Sequence, residues 1–201
     1  VAWLELLLTH DAKGNLSSIR EALKLQGIDA QAIFASRHYS DLPDTYIDWV
    51  DHLTSLHRID EAIQVAQKGL KLSDLSISAK AELADRLASL AYSRKRSALQ
   101  LEALWKAFDY SPSLDRLIRW FERTDQVKDD QSKATAWQAA IDRLQDHSSI
   151  TLRGHALLIS GRLIEALDLC IDQSRTVKSF GIGALDDLVL GYLLKALAQG
   201  G

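Results

Sequence analysis

Methionine is absent from this chain, cysteine occurs once, and only two prolines punctuate its 201 residues. A lone cysteine, Cys170, excludes an intrachain disulfide framework and fits a reducing compartment, so a cytoplasmic setting is expected. With Pro43 and Pro112 the only prolines and few β-branched runs, a sheet is disfavoured and helices have room to extend. No apolar run approaches the roughly 20 residues of a membrane-crossing helix, and no signal-peptide pattern is present. A net charge of −3 and a pI near 6.1 give no bulk attraction to nucleic acid or to an anionic membrane. The missing methionine, with Val1 opening inside the apolar pattern VAWLELLL, leads us to expect a piece of a longer protein.

What the chain does contain is ordinary for a soluble protein: 47% hydrophobic and 25% charged residues. Their order is informative. Between Asp44 and Asp74, Tyr46, Trp49, Val50, Leu53 and Leu56 recur at three- and four-residue steps, the period of one helix face. Ile59, Ala62, Ile63, Ala66 and Leu70 repeat the pattern. The link around Leu56–Arg58 is too short for anything but antiparallel neighbours. Asp44 or Thr45 is the expected cap of the first helix, and Asp60 and Glu61 suit the positive end of the second. The stretch reads as a helical hairpin.

The hairpin recurs. Glu-Ala-Leu/Ile triplets place alanines at Ala22, Ala62, Ala103 and Ala166, at intervals of 40, 41 and 63 residues, and an unmarked unit around Ala134–Ile141 would fill the last gap. A small residue there suits a second helix crossing its partner closely. In Thr151–Cys170, the positions of Gly154, Leu157, Gly161, Leu163 and Ala166 resemble the small and large positions of a tetratricopeptide repeat. Such periods in a helical pattern indicate a solenoid. We therefore expect one all-α domain over residues 1–201, a right-handed superhelix of about five helix pairs.

In chain order, helices are expected at Ala2–Leu8, Ile19–Leu25 (capped by Ser17 or Ser18 and ended by Gly27), Ala30–Ser40, the central hairpin, Ile77–Tyr92 and Ala98–Tyr110. Ser111 as cap and Pro112 at the first helical position would start Leu114–Arg123. A loop over Thr124–Ser132 should lead to Ala134–Leu144, Ile150–Ser160 and Leu163–Ile171. Gln173–Asp187 then reads as a connection to a last helix, Leu188–Ala198.

The order Leu101-Glu102-Ala103-Leu104-Trp105-Lys106-Ala107-Phe108, then Ser111-Pro112-Ser113-Leu114 and Ala136-Trp137-Gln138, resembles the helical region that follows the zinc module of bacterial SWIM zinc-finger proteins. The turns Arg58–Ala62 and Gly161–Leu167 flank it. That family's zinc motif needs three cysteines and a histidine, which Cys170 alone cannot supply, so the resemblance implies the helical arm and no metal ligand here.

No set of residues reads as an active site, so a non-enzymatic protein without cofactor or metal is expected. His52 and His57 are five apart, whereas two ligands on one helical face need three or four. His155 reads as a packing residue and Cys170 as a buried thiol without a basic partner. Gly181 and Gly183 lack the preceding strand and third glycine of a phosphate loop. Asp129-Asp130 and Asp186-Asp187 read as loop or cap residues.

One stripe stands out. At roughly 100° per residue, Arg116, Arg119 and Arg123 share a helix face with Trp120 at its edge, opposite Leu114, Leu117, Ile118 and Phe121. Tryptophan beside arginine is the composition of an interface anchor, and it can stack on a base. The alternative is that Trp120 fills the contact with the next helix. The function expected is a protein-interaction scaffold whose groove, lined by the first helices of successive pairs, grips another protein or peptide. The runner-up is a nucleic-acid-linked accessory arm of the SWIM type, using Arg116, Arg119, Trp120 and Arg123. A ligand-sensing solenoid is the weaker third.

Overall fold

The computed structural model describes residues 14–126 and 129–176, and every regular element among them is an α-helix. In order these are α1 (Leu16–Gln26), α2 (Ile28–His38), α3 (Asp44–Ser55), α4 (Ile59–Leu70), α5 (Ile77–Ser93) and α6 (Ser97–Tyr110). Then come α7 (Leu114–Asp125), α8 (Asp130–Leu144), α9 (Ile150–Ile159) and α10 (Leu163–Thr176). The chain divides into two compact units, Val1–Ser111 and Pro112–Gly201. None of the described helices is long and apolar enough to cross a membrane. The helices expected at Ala2–Leu8 and Leu188–Ala198 lie outside the described residues, as do Gly181 and Gly183.

Both units are helical repeats. In each, every helix packs on the next, and first helices touch across pairs: α3 on α5 in one unit, α7 on α9 in the other. The turn between paired helices shows the repetition most clearly. Arg58 N–H donates to Leu53 O at 2.9 Å, Arg96 N–H to Ala91 O at 2.8 Å, and Arg162 N–H to Leu157 O at 2.8 Å. Each bond closes a six-residue Schellman-type turn around a residue with positive φ: His57 (57°), Lys95 (56°) and Gly161 (77°). Glycine adopts that conformation freely, whereas histidine and lysine are strained in it. Gly161→Ala is therefore expected to cost about 1 kcal/mol, and Lys95→Gly to gain about 0.5–1 kcal/mol. Chemical denaturation of both variants checks this; equal and opposite signs fail to appear if the turn relaxes.

The recurring alanine does mark close crossings. Ala62, Ala103 and Ala166, on α4, α6 and α10, are all fully buried. Ala22 is different: it lies on α1 and is only half-buried, so its triplet is not the equivalent position. Among the core residues of the first unit are Tyr46, Val50, Leu53, Ile63, Leu83 and Phe108, with Ile19, Leu23, Phe34 and Leu42 forming a cluster toward α1 and α2. In the second unit Leu117, Trp120, Phe121, Ala140 and Leu144 are buried, and Leu157 and Ala166 join α9 to α10.

Several helix starts differ from the expectation. Ser113, not Ser111, caps α7, accepting from Arg116 N–H at 3.4 Å. Pro43 stands at the cap position of α3, and Thr45 instead donates to Leu42 O at 2.9 Å. Asn15 precedes α1 without a side-chain capping bond, and Ser17 and Ser18 lie inside the helix. The loop expected over Thr124–Ser132 is shorter, because Asp129 accepts from Ser132 N–H at 3.0 Å and starts α8 at Asp130. Residues 173–176 likewise belong to α10 rather than to a connection.

Across the first helices of the first unit runs a line of charges. Arg20 on α1 reaches Asp48 at 2.6 Å and Asp44 at 3.2 Å on α3, and Arg86 on α5 reaches Asp51 at 2.9 Å. Burial holds the Asp48 carboxyl above the usual carboxylate range, since the penalty on its charge outweighs what the Arg20 guanidinium returns; Asp44 and Asp51 add repulsion. A raised carboxyl binds its proton more tightly in the folded chain, so its contribution to stability falls as pH rises from the ordinary carboxylate value through the raised one. Asp48→Asn is thus expected to change stability by less than about 1 kcal/mol at neutral pH and to flatten that fall. Urea titrations at acidic and neutral pH measure both; a loss of several kcal/mol would show that the bridge, not the burial penalty, dominates.

Candidate functional site

The helix that carries the arginine stripe is α7, and Ser113 and the buried Leu117 fix how it sits in its unit. Its buried face is Leu117, Trp120, Phe121 and Thr124, with Thr124 donating to Trp120 O at 2.8 Å. Trp120 is only 3% exposed, and its ring meets that of Phe121 at 5.5 Å. Arg116, Arg119 and Arg123 are half-buried. Arg119 pairs with Asp115 at 2.8 Å, and Arg123 donates to the Gln126 side chain. The stripe therefore carries intramolecular partners of its own.

The opposite edge of α7 opens onto a cavity of about 660 Å³ within the second unit. From α7 it receives Leu114, Ile118 and Phe121, and from α9 it receives His155, Leu158 and Ile159. Trp137 on α8 contributes an aromatic wall, its ring 5.4 Å from that of Phe121, and Leu163 stands at the start of α10. The surface is apolar but not closed: Ile118, Ile159 and Leu163 remain 39%, 38% and 36% exposed. Three large apolar side chains left at the mouth of one cavity form a patch, which single exposed residues do not.

Two side chains with polar atoms, His155 and Trp137, belong to the cavity's lining. His155 is 6% exposed, and its Nδ1 lies 2.7 Å from Thr151 O. A carbonyl only accepts, so Nδ1 carries a proton, and Nε2 is the ring's other nitrogen. That Nε2 and the Trp137 indole Nε1 are both buried without a hydrogen-bond partner. Glu122 and Asp125 add carboxylates to the lining, Asp125 held by Lys133 at 3.3 Å.

The remaining histidines singled out by the sequence do not come together with this site. His52 Nδ1 is 2.6 Å from the Gln31 side chain, and His57 occupies the exposed turn after α3. Among the described residues no group of His, Cys, Asp and Glu is arranged to hold a metal ion. The side chain of Cys170 lies outside what the structure describes. Of the cavity's residues, the sequence assigned Leu114, Ile118 and Phe121 to the face opposite the arginines, and His155 to packing. The signal it offered for the site was that two apolar faces meet there, from helices one pair apart. In a comparison with known proteins, the chain matches no family model and no curated protein.

Proposed function

We propose that the protein is a non-enzymatic interaction scaffold, working in the cytoplasm, whose groove between α7 and α9 receives an apolar part of another protein. The supporting observation is the patch itself: Ile118, Ile159 and Leu163 converge on one cavity at the junction of two first helices. First helices of successive pairs are where a repeat fold presents its ligand surface. Covering the exposed part of each such side chain contributes on the order of 1 kcal/mol, enough for a site of modest affinity and no more. Nothing of the chain's own described residues fills the space.

Ile118→Glu tests this directly. The side chain is already 39% exposed, so helical content and unfolding midpoint should stay within about 0.5 kcal/mol of wild type. Affinity for a protein partner, measured by calorimetry, should fall roughly tenfold or more, because a carboxylate would enter the apolar contact. Unchanged affinity would remove the groove from consideration.

A nucleic-acid-linked arm, which the SWIM resemblance offers through Arg116, Arg119, Trp120 and Arg123, is the second reading. The pairing of Arg119 with Asp115 and of Arg123 with Gln126 weighs against it. Salt separates the two, since phosphate contacts weaken steeply with ionic strength and an apolar groove responds little.

A further inference from the structure

We infer a second interaction surface, on the first unit: the edge formed by the α3–α4 and α5–α6 turns, which fits an acidic segment of another protein that also carries apolar side chains. The two turns are built alike, around His57 and Lys95 at φ 57° and 56°, and the matching place in the second unit is held by Gly161. A side chain strains the backbone there and glycine does not. Strain kept at the same point of two successive turns is a mark of side chains used outside the fold. Both residues are exposed, and among the described residues neither side chain has a hydrogen-bond or ion-pair partner.

The two turns form one surface. Asp60, in the first turn of α4, takes Arg94 at 3.2 Å and Arg96 at 2.7 Å from the next pair, and Arg58 forks onto Glu61. Four cations, Arg58, Arg94, Lys95 and Arg96, thus stand against two carboxylates, in a chain whose net charge is −3. Asp60 offsets only one of the two guanidinium groups it holds, which leaves that excess and Lys95 facing water. Beside the charges, Leu56 is 50% and Tyr92 70% exposed, and the Tyr92 carbonyl accepts from Lys95 N–H at 2.9 Å. Carboxylates of a partner answer the cations, and its apolar side chains answer Leu56 and Tyr92. A nucleic acid fits less well. Its evenly spaced phosphates would meet Asp60 and Glu61, and its backbone offers nothing to Leu56, whereas a peptide places its carboxylates only where cations stand.

The test pans the full chain against a phage-displayed library of short random peptides, then titrates the synthesised winners. A class of winners rich in aspartate, glutamate and apolar residues is expected. Lys95→Gly should weaken their binding roughly three- to tenfold in low salt while raising the unfolding midpoint, because the strained turn is relieved. That opposite pair of changes separates a side chain used for binding from one used for structure. Tyr92→Ala should weaken binding roughly tenfold. Lys71→Ala, which removes an exposed lysine at the far end of α4, should leave it unchanged. Acidic winners indifferent to Lys95→Gly and Tyr92→Ala, or no acidic winners at all, would overturn the inference. A single-stranded oligonucleotide that binds more tightly than any winner and is equally sensitive to Lys95→Gly would also overturn it, assigning the edge to nucleic acid. Winners that respond to Ile118→Glu alone would keep the groove between α7 and α9 and overturn this surface.

Discussion

Trp120→Ala should lower the stability of the second unit by about 3–5 kcal/mol, the range for removing a large aromatic side chain from a core. The residue is 3% exposed, lies on the buried face of α7 with Leu117, Phe121 and Thr124, and holds its ring against Phe121. The cavity left by an indole cannot close when its neighbours are themselves fixed in a helical repeat. Against a total stability of about 5–15 kcal/mol, such a loss leaves the unit close to unfolding at 37 °C. Arg119→Ala is the matched control. Its guanidinium is half-buried and bridges to an exposed Asp115, so its removal should cost less than about 1 kcal/mol. Guanidinium denaturation followed by circular dichroism compares the two. A Trp120 variant that keeps its unfolding midpoint while losing a partner would reverse the assignment and return this tryptophan to the surface.

This residue also shows how far a sequence can be read. Periodicity identified α7 as a helix and placed Leu117 and Phe121 together. It could not decide which side Trp120 joins, because a helix in a repeat has neighbours on two sides and the apolar stripe widens to meet both. The same ambiguity hid the groove. Ile118 counts as apolar whether it is covered or left at a cavity mouth, and only the placement of α9 beside α7 distinguishes the two. The short turns after Leu56 and after Arg94 were legible as turns, but positive φ was legible only where glycine marked it, at Gly27 and Gly161, and not at His57 and Lys95, which reach it without the usual residue. Capping was visible as serine near a helix start, but Ser111 and Ser113 are equivalent by composition and only geometry selects Ser113. The Glu-Ala-Leu triplet located three buried crossings and misplaced one, Ala22, since a triplet records a helix and not which member of a pair it is.

Leu83→Ala is the second large effect, and its value lies in a partner mutation. Leu83 on α5 is fully buried, and its loss should cost about 2–5 kcal/mol. Its Cδ1 lies 2.7 Å from where a Cβ on Gly69 would stand, and Tyr46 Cδ1 lies 3.0 Å from the same point. Gly69 is thus where α4 meets α5 and α3 at the closest approach the backbone allows. Gly69→Ala alone is pulled two ways. Alanine favours the helix by about 1 kcal/mol, but the added methyl must displace side chains that are themselves buried, at a cost of about 1–3 kcal/mol. The single variant should therefore be neutral to destabilising. In the Leu83→Ala background the nearer obstruction is gone and only the Tyr46 ring must give by a few tenths of an ångström, so the new Cβ occupies part of the cavity and Gly69→Ala should shift toward stabilising. The double-mutant cycle should show a coupling of about 1–3 kcal/mol in favour of the pair. Zero coupling would mean that α4 and α5 are not held at this distance. A positive result would tie the contact between successive helix pairs, on which a repeat fold depends, to one glycine facing one leucine.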